Sequence, residues 1–111
     1  MTEKYLGKIN KLLQTRIAEI INLNKDIWFE KAFITVTRVS TTSDLSLSKV
    51  YLSILNPNKQ ELLDKIKQHK GEIKKELGLA IRNKIRKIPD LQFILDDTLD
   101  YIEEIDRLLK K

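Results

Sequence analysis

The chain has 111 residues, 41% hydrophobic and 33% charged, with a formal net charge of +5 and a pI of about 9.4; this is the balance of a folded chain with a charged surface. Such a length suits a single domain over residues 1–111. The lack of cysteine excludes disulfides, thiolate metal sites and cysteine nucleophiles, and no stretch has the apolar length of a membrane span or a secretory signal, so a cytoplasmic protein is expected.

From Tyr5 to Leu23, apolar residues recur at Leu6, Ile9, Leu13, Ile17 and Ile20, the spacing of one helical stripe. Asn22, Asn24, Lys25 and Asp26 are expected to end that helix, and a loop with Trp28 and Phe29 follows. AFITVTRV, from Ala32 to Val39, is β-branched and alternating, with Ile34 and Val36 on one face and Thr35 and Thr37 on the other. After the polar run STTSDLS, KVYLSIL alternates Val50, Leu52 and Ile54 with Lys49, Tyr51 and Ser53, so the two strands are expected to form a hairpin with a long loop.

Asn56-Pro57-Asn58 stops the second strand and opens a helix carrying Leu62, Leu63 and Ile66. Gly71 interrupts it. The helical pattern resumes with Ile73, Leu77, Ala80, Ile81 and Ile85 and is expected to run to Ile88-Pro89, because the residue before proline is pushed towards extended geometry. LQFIL, from Leu91 to Leu95, reads as a third strand, and Asp96, Asp97 and Thr98 offer caps for a short last helix bearing Leu99, Ile102, Ile105, Leu108 and Leu109. The order predicts an α+β layer, with helices on one face of a three-stranded sheet and no spare apolar stripe, hence a monomer.

Charge is polarised along the chain. Lys65 to Lys87 holds nine basic and two acidic residues, a local balance of +7, whereas Pro89 onward holds three basic and seven acidic ones, a balance of −4. A concentrated basic element beside an acidic tail suggests an anionic partner, most often nucleic acid. On a helical wheel Gly71, Lys75, Gly78, Arg82 and Arg86 share an outward strip, opposite Ile73, Leu77, Ala80 and Ile81, while Lys84 turns towards the apolar side. The plain reading is a solvated charged face. The charge excess and two side-chain-free positions, where a phosphate backbone could lie close, favour RNA or DNA, with Gly78 the point of closest approach.

Other chemistry finds little support. His69 is the only histidine, so an imidazole metal cluster cannot form, and a polar residue at a helix break explains it. Asp96, Asp97, Asp100, Glu103 and Glu104 have the chemistry for magnesium, yet acids at a helix start complement its dipole. The serines and threonines of residues 40–48 have no paired histidine, and no Walker loop, nucleophile elbow or dinucleotide fingerprint occurs. Neither an enzyme nor a small-molecule or cofactor site is expected. Trp28, Phe33 and Tyr51 are available for base stacking, although packing is the commoner role of such aromatics.

Four stretches carry a resemblance when taken in order: TVTRV at Thr35 to Val39, SDLSLSKVYLSIL at Ser43 to Leu55, KKELGLAIRNKIRKIPDLQFILDDT at Lys74 to Thr98, and IDRLL near the end. Together they resemble the ribosome-binding factor A family over nearly the whole chain. The resemblance implies a type II KH-like fold in which an Ala-x-Gly kink replaces the GXXG loop of ordinary KH domains. Here the kink is His69-Lys70-Gly71, where glycine is kept and alanine is not, and Trp28-Phe29-Glu30 stands where the family has Asp-Pro-Arg. The function implied is a non-catalytic, cold-adaptive factor that binds the immature small (30S) ribosomal subunit and its 16S rRNA and supports maturation of the rRNA 5′ end. Expected phosphate contacts are Lys70, Lys74, Lys75, Arg82, Lys84, Arg86 and Lys87, joined by Arg38 and Lys49. The alternatives are a general single-stranded RNA or DNA module and a protein-interaction adaptor.

Overall fold

The computed structural model describes residues 3–28 and 33–96, in the order α1 (Glu3–Trp28), β1 (Phe33–Thr41), β2 (Leu47–Leu55), α2 (Lys59–Gln68), α3 (Lys70–Ile81) and β3 (Asp90–Leu95). The expected C-terminal helix lies outside the described residues, as do Phe29 and Glu30. α1 buries Ile9, Leu13, Ile17, Ile20 and Ile21, and it runs five residues past the expected end at Leu23. Asparagine weakens a helix by only a fraction of a kcal/mol. Asn24 also finds a partner inside the helix, its Nδ2 donating to the Ile20 carbonyl at 2.8 Å, so the polar run does not unwind it.

The sheet order is β1-β2-β3, with β1 antiparallel to β2 and β3 parallel to β2. Along β2 the buried Val50, Leu52 and Ile54 point to the helices; Val50 pairs with the buried Val39 and Phe93, Leu52 with the buried Val36, and the buried Leu91 pairs with Ser48, two residues before Val50 on β2. Strict alternation from Ile34 and Val36 would carry Arg38 inward as well. A β-bulge prevents this: the register slips between Val36 and Arg38, so Arg38 pairs with Tyr51 on the open face and Val39 with Val50 in the core. α1 braces the slip, Gln14 Nε2 donating to the Val36 carbonyl at 3.1 Å.

The hairpin connection is tighter than its polar sequence suggests. Asp44 Oδ1 accepts from the hydroxyls of Ser46 and Thr42, each at 2.7 Å, and from the Ser46 backbone N–H at 3.1 Å. Leu45 takes a left-handed conformation with φ 61°, which is unfavourable for a leucine, and is held there with its side chain 3% exposed. The Ser46 and Thr42 hydroxyls and the Ser46 N–H hold the Asp44 carboxyl down from 3.8 to about 2. Its contribution to stability is therefore complete above pH 3.8 and is lost as the pH falls towards 2. Asp44→Asn should flatten that acid limb in thermal unfolding followed against pH, while an unaltered limb would remove Asp44 from its cause.

Candidate nucleic-acid interface

The helix break is a single residue. His69 (φ −94°, ψ 10°) caps both helices: its N–H donates to the Ile66 and Lys65 carbonyls at 3.0 and 3.2 Å, and its own carbonyl accepts from Ile73 N at 3.0 Å. The turn therefore lies two residues before Gly71, in a backbone region open to ordinary residues, so no glycine is needed for it. Gly71 is an ordinary residue of α3: no described glycine has positive φ, and a Cβ there would meet nothing within 4 Å. Gly71→Ala should stabilise the fold by about 0.5–1 kcal/mol. The measure is the urea midpoint at constant m, and a lower midpoint would restore the glycine to the kink.

α3 buries Ile73, Leu77 and Ile81 and ends there, seven residues before the expected stop at Ile88. Arg82 N still bonds the Gly78 carbonyl at 2.9 Å, but Lys84 N turns back to Ile81 at 2.8 Å. The connection then drops Ile85 and Pro89 into the core, with Asn83 supplying a residue that suits a turn. Two expectations are corrected by this. Ala80 is exposed, not inward-facing, and Lys84, Arg86 and Lys87 stand exposed on the connection to β3, so Arg86 is not on the helical strip and Lys84 does not turn towards the apolar side.

The expected cations fall into three environments. Lys70 and Lys74 reach back to Asp90 at the start of β3, their Nζ atoms 3.3 and 3.6 Å from Oδ1. The Leu91 backbone N–H and then Lys70 hold the Asp90 carboxyl below its ordinary range, so part of this positive charge is spent within the fold. Lys75 and Arg82 are exposed on the outer side of α3. Arg38 and Lys49 belong to the sheet face turned away from the helices, where the Arg38 guanidinium lies 4.1 Å from the centre of the Tyr51 ring. The α3 strip and these two sheet residues are on opposite sides of the sheet. One face of the Tyr51 ring is thus covered by its own cation.

Gly71, Lys75, Gly78 and Arg82 line one open cavity of about 450 Å³, as the wheel implies, together with Lys74, Leu79 and Ile88. Neither Leu79 nor Ile88 belongs to the cationic strip. Leu79 carried a legible signal, since it stands off the buried stripe of Ile73, Leu77 and Ile81 and yet is apolar. Ile88 had none, because its place over α3 depends on how the connection folds back. A Cβ at Gly78 would lie 3.7 Å from Ile88 Cγ1, so the side chain that approaches this glycine within the chain is Ile88. Among the described residues no group of three or more His, Cys, Asp or Glu is placed to hold a metal, and no helix is long and apolar enough to cross a membrane.

An α-β-β-α-kink-α-β order with all helices on one sheet face, and a cationic outer helix after the kink, defines a type II KH-like α+β protein. The family model described as Ribosome-binding factor A matches residues 6–109. The chain belongs to the ribosome-binding factor A family. A ribosome-binding factor A of Phytoplasma mali is 43% identical over 110 residues, covering 93% of this chain and 91% of its own. One from Cytophaga hutchinsonii is 39% identical over 105 residues, covering 94% and 79%. In fold, the chain is similar to the crystal structure of ribosome-binding factor A from Thermus thermophilus, with TM-score 0.69 at 21% identity over 81% of this chain and 94% of that one. It is also similar to a Thermus thermophilus homology model fitted into a cryo-EM map of a 30S complex, with TM-score 0.63 at 22% identity over 77% and 88%.

Proposed function

We propose that the protein is a monomeric, non-catalytic assembly factor of the cytoplasm that binds the immature small ribosomal subunit through its 16S rRNA and supports 5′-end processing and late maturation. The observation that carries this reading is the α3 face, where Lys75 and Arg82 alternate with two positions without side chains on a helix of a ribosome-binding family. The Thermus thermophilus relative fitted into a 30S complex supports the choice of subunit. Lys84, Arg86 and Lys87 extend the charge along the connection, and Lys70 and Lys74 join once they exchange Asp90 for phosphate. Arg38 and Lys49 would need a second strand of rRNA, or a fold of it around the sheet edge.

A phosphate-reading face releases counterions, so association should weaken steeply with salt. Co-sedimentation of the protein with small subunits from growing cells, followed across salt concentrations, tests the reading. A general single-strand binder would be displaced equally well by short oligonucleotides, and an adaptor would stay bound after nuclease treatment; either result would replace this reading.

A further inference from the structure

We propose that the groove on α3 captures one unstacked base of the RNA, its ring laid on Leu79 and Ile88 and its flanking phosphates held by Lys75 and Arg82. The proposal rests on the RNA-binding reading above and adds a site to it. A surface that only neutralises phosphates needs no apolar floor, yet this one has one. Leu79 is 63% exposed and lies four residues after Lys75 and three before Arg82, so it sits between the two cations on one helical face.

The rest of the floor is aliphatic or bare. Ile88 lies against the helix at Gly78, within 3.7 Å of where a Cβ would be, and Gly71 leaves the groove open at its other end. The residues lining the cavity include three cations and no acid. An apolar floor with a cationic rim complements a ligand having apolar faces and a negative backbone, which describes a nucleotide lifted from its stack. Single-stranded and bulged rRNA offers such bases, and the plane of the Arg82 guanidinium adds a second surface for stacking.

The test compares Leu79→Gln with Lys75→Gln in binding to small subunits at several salt concentrations. Leu79 is exposed and glutamine is a good helix former, so the variant should fold, as circular dichroism would verify. Leu79→Gln should weaken binding roughly 10-fold with the same dependence on salt, since base contacts of this kind release no counterions. Lys75→Gln should reduce the slope of log affinity against log salt by about 1. Dimethyl sulfate and carbodiimide probing should find a base protected by the wild-type protein and released by Leu79→Gln. Unchanged affinity in Leu79→Gln alongside weakened Lys75→Gln would overturn base capture and leave the RNA reading standing. Weakened Leu79→Gln with no base released would also overturn it, assigning the groove to an acidic peptide of a ribosomal protein. If neither variant weakens binding, the RNA reading of this face falls as well.

Discussion

Replacing Lys75 and Arg82 together by glutamate should abolish co-sedimentation with small subunits at physiological salt while leaving the thermal unfolding midpoint nearly unchanged. Both side chains are exposed on the outer side of α3, away from the Ile73, Leu77 and Ile81 stripe that holds the helix to the core. Their removal therefore touches recognition and not packing. Each lost phosphate contact lowers the salt slope by about 1, and reversing the sign adds repulsion to that loss, so a fall on the order of 100-fold or more is expected. The same exchange at Arg38 and Lys49 should have a much smaller effect, because those residues face the other side of the sheet. Full binding by the Lys75→Glu/Arg82→Glu protein would move the interface away from α3.

Val39→Asp should unfold much of the protein, and Arg38→Asp should leave it folded. Val39 is 5% exposed and pairs with Val50 at the centre of the core. Aspartate there removes a buried side chain and places an unpaired carboxylate in an apolar layer, a loss of about 3–5 kcal/mol against a total near 5–15 kcal/mol. Arg38 is exposed and would forfeit only its contact with the Tyr51 ring, about 0.5–1 kcal/mol. Chemical unfolding of the two variants decides the matter. Similar losses at both positions would mean that the strand does not change face at the bulge.

The strip of Gly71, Lys75, Gly78 and Arg82 was legible because helical periodicity is local, and four residues on one wheel face remain together once the helix forms. Arg86 joins that strip only if the helix continues past Ile81, and nothing in KIRKIP distinguishes a helical turn from a connection whose isoleucine is pulled into a core. The bulge was likewise invisible. Two residues opposite one partner can be recognised only when the partner strand is in place, and here Thr37 marks the slip through hydrogen bonds to the Tyr51 carbonyl at 3.2 Å and to Asp96 at 2.7 Å, 14 and 59 residues away.

Gly71 shows the same limit in another form. An interrupted pattern and a family kink both pointed to it, and the break was real, yet the residue that leaves helical geometry is His69. Lys70 and Lys74 count as free charge in the sequence but reach Asp90 in the fold.

By itself the sequence determined the order of elements, the single apolar face of each, the polarised charge and the family, all of which depend on residue type and short-range spacing. Tertiary structure alone decided where α1 and α3 end, which face Arg38 and Val39 occupy, which lysines are already paired, and that Leu79 and Ile88 line one groove with Gly71 and Gly78. Each of those depends on contacts between residues distant in the chain, formed only when the helices pack on the sheet, and the groove on α3 is their product.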